Sequence, residues 1–452
     1  MLAVDECLQL NKSESFRFIY RLDCAFCIML LLRIVTLLVL LGLASCGCRP
    51  VQAQATVPSK GSSQFVFKHS VRKKVRVPLH MERNLLLVSG MLNGAGPYNF
   101  LLDTGVGTSI ITAPDVAKAL HLRHGETFRV VGAGGADTGL LAYKTDSVRL
   151  TLGGVVAPNL SLLVLSDDVL NLSGYVGVPV HGILGSELFR SFVVSLHPDE
   201  FNMVLYKPST FRAPRGKRWS SVPLSIENNK AYFTADVQLT DTLTLPLKLV
   251  LDTGASHALS LEMDSDPRLV APARRLPTDL GHGLTGVVRG YLGRVPTLRL
   301  GRYTMPSVLT SFPDAADVHR RVDVPRNGNV GYELLKRFSL TIDYPHRRLL
   351  LRPNNKFREA FEHDMCGVDF LATGPDFRRY LILHVEPNSP AAVAGLMADD
   401  ELVSINFLPV NVFSLTQLGR MMHSEDGRVL LLVLRRATGE LLTTTVRLKR
   451  QI

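Results

Sequence analysis

LVLDTGASHALS, from Leu249 to Ser260, decides how this chain is read. Three apolar residues run into Asp252-Thr253-Gly254, the pattern of a buried strand ending in a tight loop that holds a carboxylate at the strand's tip. A second copy lies upstream, where Phe100-Leu101-Leu102 leads into Asp103-Thr104-Gly105. The two aspartates stand 149 residues apart, a spacing that suits two lobes meeting at one pair of carboxylates. A lone Asp-Thr-Gly is a common turn tripeptide, so the weight of the reading rests on what else repeats.

Three further features recur in order. Glycine-rich turns begin at Gly132 (GAGGADTG) and Gly281 (GHGLTGVVRG), each 29 residues beyond its aspartate. An ordinary hairpin would explain either turn, but the shared offset argues for equivalent parts. Both halves then close alike: GILGSELFRSFVVSLHPDEFNMVLY from Gly182 parallels GNVGYELLKRFSLTIDYPHRRLLL from Gly328. Gly185 and Gly331 lie 82 and 79 residues after their aspartates, and each is followed by Glu-Leu and then by Phe192 or Phe338. The residue types fit one chemistry. Two adjacent carboxylates cannot both ionise, so one keeps its proton while the other acts as a base toward a water between them, and together they can attack a peptide bond. Threonine can brace one loop against the other, and glycine turns where a side chain would clash.

These motifs resemble the aspartic proteases, in particular the retropepsin-like branch. The resemblance implies a mainly β fold of two pseudo-symmetric retropepsin/pepsin-like lobes forming one acid-protease unit, with Asp103 and Asp252 catalytic and Thr104, Gly105, Thr253 and Gly254 supporting their loops. Gly132, Gly134 and Gly135 in lobe one, and Gly281, Gly283 and Gly286 in lobe two, would belong to flaps that cover an extended peptide. The segments at Gly182 and Gly328 match the apolar-apolar-Gly strand that threads behind each catalytic loop. Two departures stand out. Asn329 occupies the place of Ile183, and Val106 or Ala255 follows each triplet where pepsin-like members place a hydroxyl that hydrogen-bonds the carboxylate. Without that donor the pair should release its proton at higher pH than in the pepsin branch, so activity reaching mildly acidic to neutral pH is expected.

At 452 residues the chain exceeds what one core usually serves, and 35 glycines with 25 prolines fit a turn-rich β protein. Charges within residues 1–45 cancel, so the net +11 belongs to the remainder. Residues 1–45 read as an upstream segment and an export signal. From Met29, MLLLRIVTLLVLLGLASC has a basic start at Arg33 and eleven residues from Ile34 to Ala44 that are too few to span a bilayer. Leu43-Ala44-Ser45-Cys46 resembles the lipobox of bacterial lipoproteins, implying lipidation at Cys46 and a membrane-anchored place in the cell envelope; cleavage after Ala53 competes with it. The 28 residues before Met29 serve neither account and fit a start codon assigned too far upstream; the Cys24/Cys27 pair among them reads as neither a metal nor a redox site. Few cysteines remain beyond the signal, so no disulfide framework is implied.

Residues 46–78 read as a linker with a basic patch, Arg72-Lys73-Lys74-Val75-Arg76. It is short and lacks aromatics, so a solvated edge strand or an anionic membrane surface suits it better than nucleic acid. Lobe one follows at 79–207, with alternating strands such as Asn84 to Ser89 and Ser147 to Leu152; a connector spans Pro208 to Lys217, and lobe two runs from 220 to 353. One chain supplies both carboxylates, so no obligate homodimer is expected.

Residues 362–450 change pattern. SPAAVAGL, Ser389 to Leu396, combines an N-cap serine, proline at the first helical position and a terminal glycine. It resembles the SPAAxAGL signature of bacterial PDZ domains, with Val429 to Leu434 and Thr443 to Leu448 as closing strands. The resemblance implies that Gly367, Val368, Asp369 and Phe370 form a loop receiving a peptide's C-terminus. Leu415, Leu418 and Met422, at helical spacing, would line the groove or serve the core. Asp369 stands where glycine is frequent, and internal docking against the protease lobes is the alternative to binding free C-termini.

No phosphate loop, paired-cysteine zinc pattern, His-Glu-x-x-His helix or G-x-S-x-G occurs, so no metal or organic cofactor is called for. His257 reads as loop filler. The expected activity is an aspartic endopeptidase with a PDZ domain for substrate or partner recognition; the competing expectation is an inactive peptide-binding scaffold that works through its PDZ domain.

Overall fold

A computed structural model describes residues 64–130, 132–134, 139–283, 286–318 and 324–452. The fold is mainly β. Each lobe is built on a sheet whose centre presents one Asp-Thr-Gly loop. In lobe one, strand Ala95–Leu102 turns from half-exposed to fully buried over its last three residues, Phe100, Leu101 and Leu102, and delivers Asp103 at its end. Strand Gly182–Leu184 runs parallel to it, with Leu184 beside Leu102, and pairs on its other side antiparallel to Ile110–Ile111. Lobe two repeats this. Strand Thr244–Leu251 delivers Asp252; Gly328–Val330 lies parallel, with Val330 beside Leu251, and antiparallel to Leu259–Leu261. A strand flanked on both faces has little room for polar side chains, which explains the apolar runs Phe100-Leu101-Leu102, Ile183-Leu184 and Leu249-Val250-Leu251; Asn329 in Gly328–Val330 is the exception among these strands.

A third, six-stranded sheet joins the lobes. Its order is Ser220–Pro223, Arg348–Pro353, Phe338–Asp343, Val193–His197, Asn202–Tyr206 and Lys74–Pro78. At its centre Val193–His197 from lobe one pairs antiparallel with Phe338–Asp343 from lobe two, placing Ser195 opposite Thr341. A single apolar cluster runs through both lobes, so they fold around a shared core.

The linker reading of residues 46–78 needs correction over its described part. Val66–Phe67 pairs with Val155 and Val156, and Lys74–Pro78 is the edge strand of the joining sheet. Val75 and Val77 are buried while Lys74, Arg76 and Pro78 face solvent, so the basic patch is the wet side of an alternating strand. Residues 1–63, with the export signal, Cys46 and Ala53, lie outside the described residues.

The C-terminal region has its own core and sheet, ordered Val368–Thr373, Arg379–Val385, Glu401–Ile405, Val429–Arg435 and Leu441–Arg447. Helix Pro390–Val393 is capped by the Ser389 side chain, which accepts from the Ala392 amide. Helix Leu415–Met422 starts with a capping box in which Ser414 and Gln417 satisfy each other's backbone amides.

Candidate active site

The two triplets come together through their threonines. The Thr104 amide donates to Thr253 Oγ1 at 3.1 Å, and the Thr253 amide donates to Thr104 Oγ1 at 3.0 Å. Each hydroxyl then donates across the lobes, Thr104 Oγ1 to the Leu251 carbonyl at 2.6 Å and Thr253 Oγ1 to the Leu102 carbonyl at 2.8 Å. Both side chains are fully buried, so every one of these bonds is shielded from water. Behind the loops, the Asp103 and Asp252 amides donate to Leu184 and Val330, each at 3.0 Å. The apolar-apolar-Gly strands therefore hold both loops from the rear.

Each carboxylate accepts from the amide two residues ahead: Gly105 to Asp103 Oδ1 at 2.6 Å and Gly254 to Asp252 Oδ1 at 3.1 Å. The glycines are required by proximity. A β-carbon on Gly254 would stand 2.2 Å from Asp103 Cγ, and one on Gly105 would stand 3.0 Å from Asp252 Cγ. Burial first, and the neighbouring Asp252 second, push the Asp103 carboxyl up from 3.8 to about 8, against the pull of the Gly105 amide and of Lys230. The pair is thus built to hold a proton at neutral pH.

The expectation that neither carboxylate has an added side-chain donor fails for Asp252. Asn329 Nδ2 donates to Asp252 Oδ2 at 2.7 Å, and His257 Nε2 lies 3.3 Å from Asn329 Oδ1. His257 is therefore a partner in the site, not filler. The Asn-for-Ile exchange between the halves was the signal; its direction depended on the strand register. Sequence reasoning also passed over Ser109 and Glu187. The Ser109 hydroxyl donates to Glu187 Oε2 at 2.7 Å and accepts from the Gly185 amide at 3.0 Å, tying the loop after Asp103 to the strand behind it.

The two glycine-rich turns are hairpin ends. Thr127–Val130 pairs with the strand beginning at Leu140, so Gly132 and Gly134 lie in the connecting turn; Gly135 falls outside the described residues. In lobe two, Arg275–Gly283 pairs with Gly286–Leu300, Gly283 opposite Gly286, with Gly281 just below. A β-carbon on Gly283 would stand 2.1 Å from the Ala133 carbonyl oxygen, so the two ends touch.

In the C-terminal region the loop amides expected to receive a peptide carboxylate already hold one. Asp364 accepts from Cys366, Gly367 and Val368 at 2.9, 2.8 and 3.0 Å. Burial raises the Asp364 carboxyl while these amides pull it down. Val368 and Phe370 are buried, and Leu418, expected to line the groove or serve the core, is wholly within the core. Lobe one sits against both walls of the groove: a β-carbon on Gly174 would meet Leu371, and one on Gly177 would meet Leu415. The Arg83 amide donates to Thr416 Oγ1 at 2.9 Å, and the Arg83 guanidinium lies near enough to Asp369 to pull its carboxyl down, against the burial that raises it. The unusual Asp369 is matched by a cation from lobe one. Glu386 also reaches the lobe-two hairpin, accepting from the Asp279 amide at 3.2 Å and from the Thr278 hydroxyl. The cleft of about 1330 Å³ between this hairpin and the C-terminal region contains neither triplet.

Two β lobes each present an Asp-Thr-Gly loop, and their threonines interlock the two loops. Residues 88–188 match the family model for aspartyl protease and residues 381–436 that for the PDZ domain. The chain thus carries a retropepsin-like aspartyl protease domain with a PDZ domain C-terminal to it. Among solved structures it is similar to an aspartic proteinase from Irpex lacteus, at 14% identity and TM-score 0.39 over 63% of this chain and 99% of that one. It is also similar to basic 7S globulin from soybean, at 8% identity and TM-score 0.37 over 64% of this chain and 97% of the other. No curated protein matches the sequence.

Proposed function

We propose that this protein is an aspartic endopeptidase acting on extended peptide or protein segments through water activated between Asp103 and Asp252. The observation that carries the reading is the pair itself: two carboxyls from equivalent loops, locked together by four threonine hydrogen bonds, with burial and the neighbouring Asp252 raising the Asp103 carboxyl. Asp252 takes a proton from the water as its oxygen attacks the scissile carbonyl carbon, and Asp103 gives its proton to the carbonyl oxygen. The tetrahedral diol then collapses: the proton on Asp252 passes to the amide nitrogen, the C–N bond breaks, and Asp103 recovers a proton from the diol. The two hairpins cover the bound segment and keep bulk water out.

Both carboxylates come from one chain, so the enzyme works without an obligate homodimer. Export, with anchoring through lipidated Cys46, belongs to the same proposal, as does a role for the PDZ domain in recognising substrate or partner. The competing reading, an inactive scaffold that captures free C-termini, is weakened by Asp364, which occupies the amides such a terminus would need. A peptide library incubated with the full chain, beside Asp103→Asn and Asp252→Asn, tests the proposal. Cleavage by the parent and loss in each variant is expected; an inert parent, or cleavage that survives either change, rejects it.

A further inference from the structure

The two carboxylates of the site are not equivalent: Asp103 is the more deeply buried, and a second difference lies in residues that belong to lobe two alone. Asn329 and Ile183 occupy the same place in the two lobes, each in the middle of the short parallel strand behind its catalytic loop, beside Val250 and Leu101 respectively. Ile183 is buried among Leu87, Leu101, Val176 and Val180 and has nothing to donate. Asn329 donates to Asp252 Oδ2 at 2.7 Å while the Gly254 amide donates to Oδ1 at 3.1 Å, so both oxygens of Asp252 are held by N–H groups. Among the described residues Asp103 has the matching amide from Gly105 and no counterpart of Asn329.

The orientation of the Asn329 amide follows from what it faces. Only its NH2 can donate to a carboxylate, so its oxygen must point to His257 Nε2 at 3.3 Å, and that nitrogen must carry the proton. His257 is anchored in turn by its own backbone, whose carbonyl accepts from Glu333 at 3.2 Å and stands 2.2 Å from where a β-carbon on Gly331 would lie. The enclosed site pushes the imidazole below its ordinary range, against the attraction of Asp252, so a neutral ring with a single N–H is the form that fits.

We propose that Asn329 and His257 are positioning residues that assign the roles in the pair, fixing Asp252 as the base and Asp103 as the acid. The inference rests on the endopeptidase reading for its consequence in catalysis, and on hydrogen-bond geometry alone for its effect on the charge of Asp252. With N–H donors on both oxygens of Asp252, the proton the pair shares is left to Asp103, where burial and the neighbouring carboxylate hold it. Among the described residues the other titratable groups that act on the pair are Lys230, which favours charge on Asp103, and the buried Tyr344, which feels both carboxylates. Neither contacts Asp252 through a hydrogen bond given by the structure, so neither can supply the asymmetry that Asn329 does.

Asn329→Ile, which copies lobe one, tests this in the full chain by two routes. On a cleaved peptide, kcat falls by about 10- to 100-fold with KM within a few-fold of the parent, and the acidic limb of the pH profile moves up by about one unit. His257→Phe moves the profile in the same direction, His257→Gln, which keeps an N–H donor, lies closer to the parent, and the double variant His257→Phe/Asn329→Ile is no worse than Asn329→Ile alone. Thermal unfolding against pH gives the second route and needs no substrate. The sign follows from linkage: a donor that favours the charged form contributes stability at neutral pH that disappears as the carboxylate protonates. The midpoint difference between parent and Asn329→Ile is therefore larger near pH 7 than near pH 3. An inert parent that still shows this pH-dependent difference rejects the endopeptidase and leaves the role of Asn329 standing. An active parent whose Asn329→Ile variant keeps the same pH profile and a constant midpoint difference overturns the inference.

Discussion

Thr104 and Thr253 carry no charge, yet they determine whether the carboxylates meet. Removing the Thr253 hydroxyl strands the Thr104 amide and the Leu102 carbonyl in a site closed to water. Thr253→Val is expected to cost about 2–4 kcal/mol of stability and most of the activity, whereas Thr253→Ser recovers both; denaturant unfolding beside the cleavage assay checks it. Asp103 gives a prediction of opposite sign. Its carboxyl is pushed from 3.8 up to about 8, so the folded protein binds that proton more tightly than the unfolded chain. The stability this contributes is complete below about pH 4 and is lost as pH rises through about 8. Asp103→Asn cannot ionise, so the inactive variant should melt higher than the parent by a margin that grows between those limits and then levels off. A margin independent of pH would show that Asp103 is not the proton holder.

Among the elements, the parallel pair formed by a catalytic strand and the strand behind it does the positioning, and its glycines tolerate nothing larger. Gly254→Ala places a carbon 2.2 Å from Asp103 Cγ. A displacement of about 1 Å at reacting atoms can cost about 100-fold, so at least that loss of kcat is expected while the far-ultraviolet circular dichroism stays that of the parent. The catalytic strands were legible because burial on both faces leaves an unbroken apolar run before each aspartate, and the sequence carries that run twice. Lys74–Pro78 was read in part: its basic patch suggested a solvated edge strand, but the sheet it edges shows only once Val75 and Val77 are seen facing the core. Asn329 was visible as a departure, but its aim at Asp252 depended on register across two strands. The Asp364 carboxylate could not be read at all, because a side chain that caps three consecutive amides is set by the local backbone path and leaves no spacing signature.

For the whole molecule, the lobes share one core and one joining sheet, while the PDZ domain keeps its own core and meets the protease domain through hydrogen bonds and through close packing at Gly174 and Gly177. Arg83 joins Thr416 to the Tyr175 carbonyl, Tyr175 packs on His282 with ring centroids 4.3 Å apart, and Glu386 holds the same hairpin at Asp279. The PDZ domain therefore grips the lobe-two hairpin from outside. Glu386→Ala should speed amide exchange over residues 275–283 and leave the PDZ strands protected; unchanged exchange in the hairpin would remove the PDZ domain from its control.

The most direct test of the shared proton is the pH dependence of kcat/KM for the full chain on its best peptide, with Asp103→Asn and Asp252→Asn measured alongside. One shared proton predicts a bell-shaped profile that extends to neutral pH and falls as pH passes about 8, with both variants inert throughout. A profile confined to strongly acidic pH, or turnover that survives the loss of either carboxylate, would contradict it.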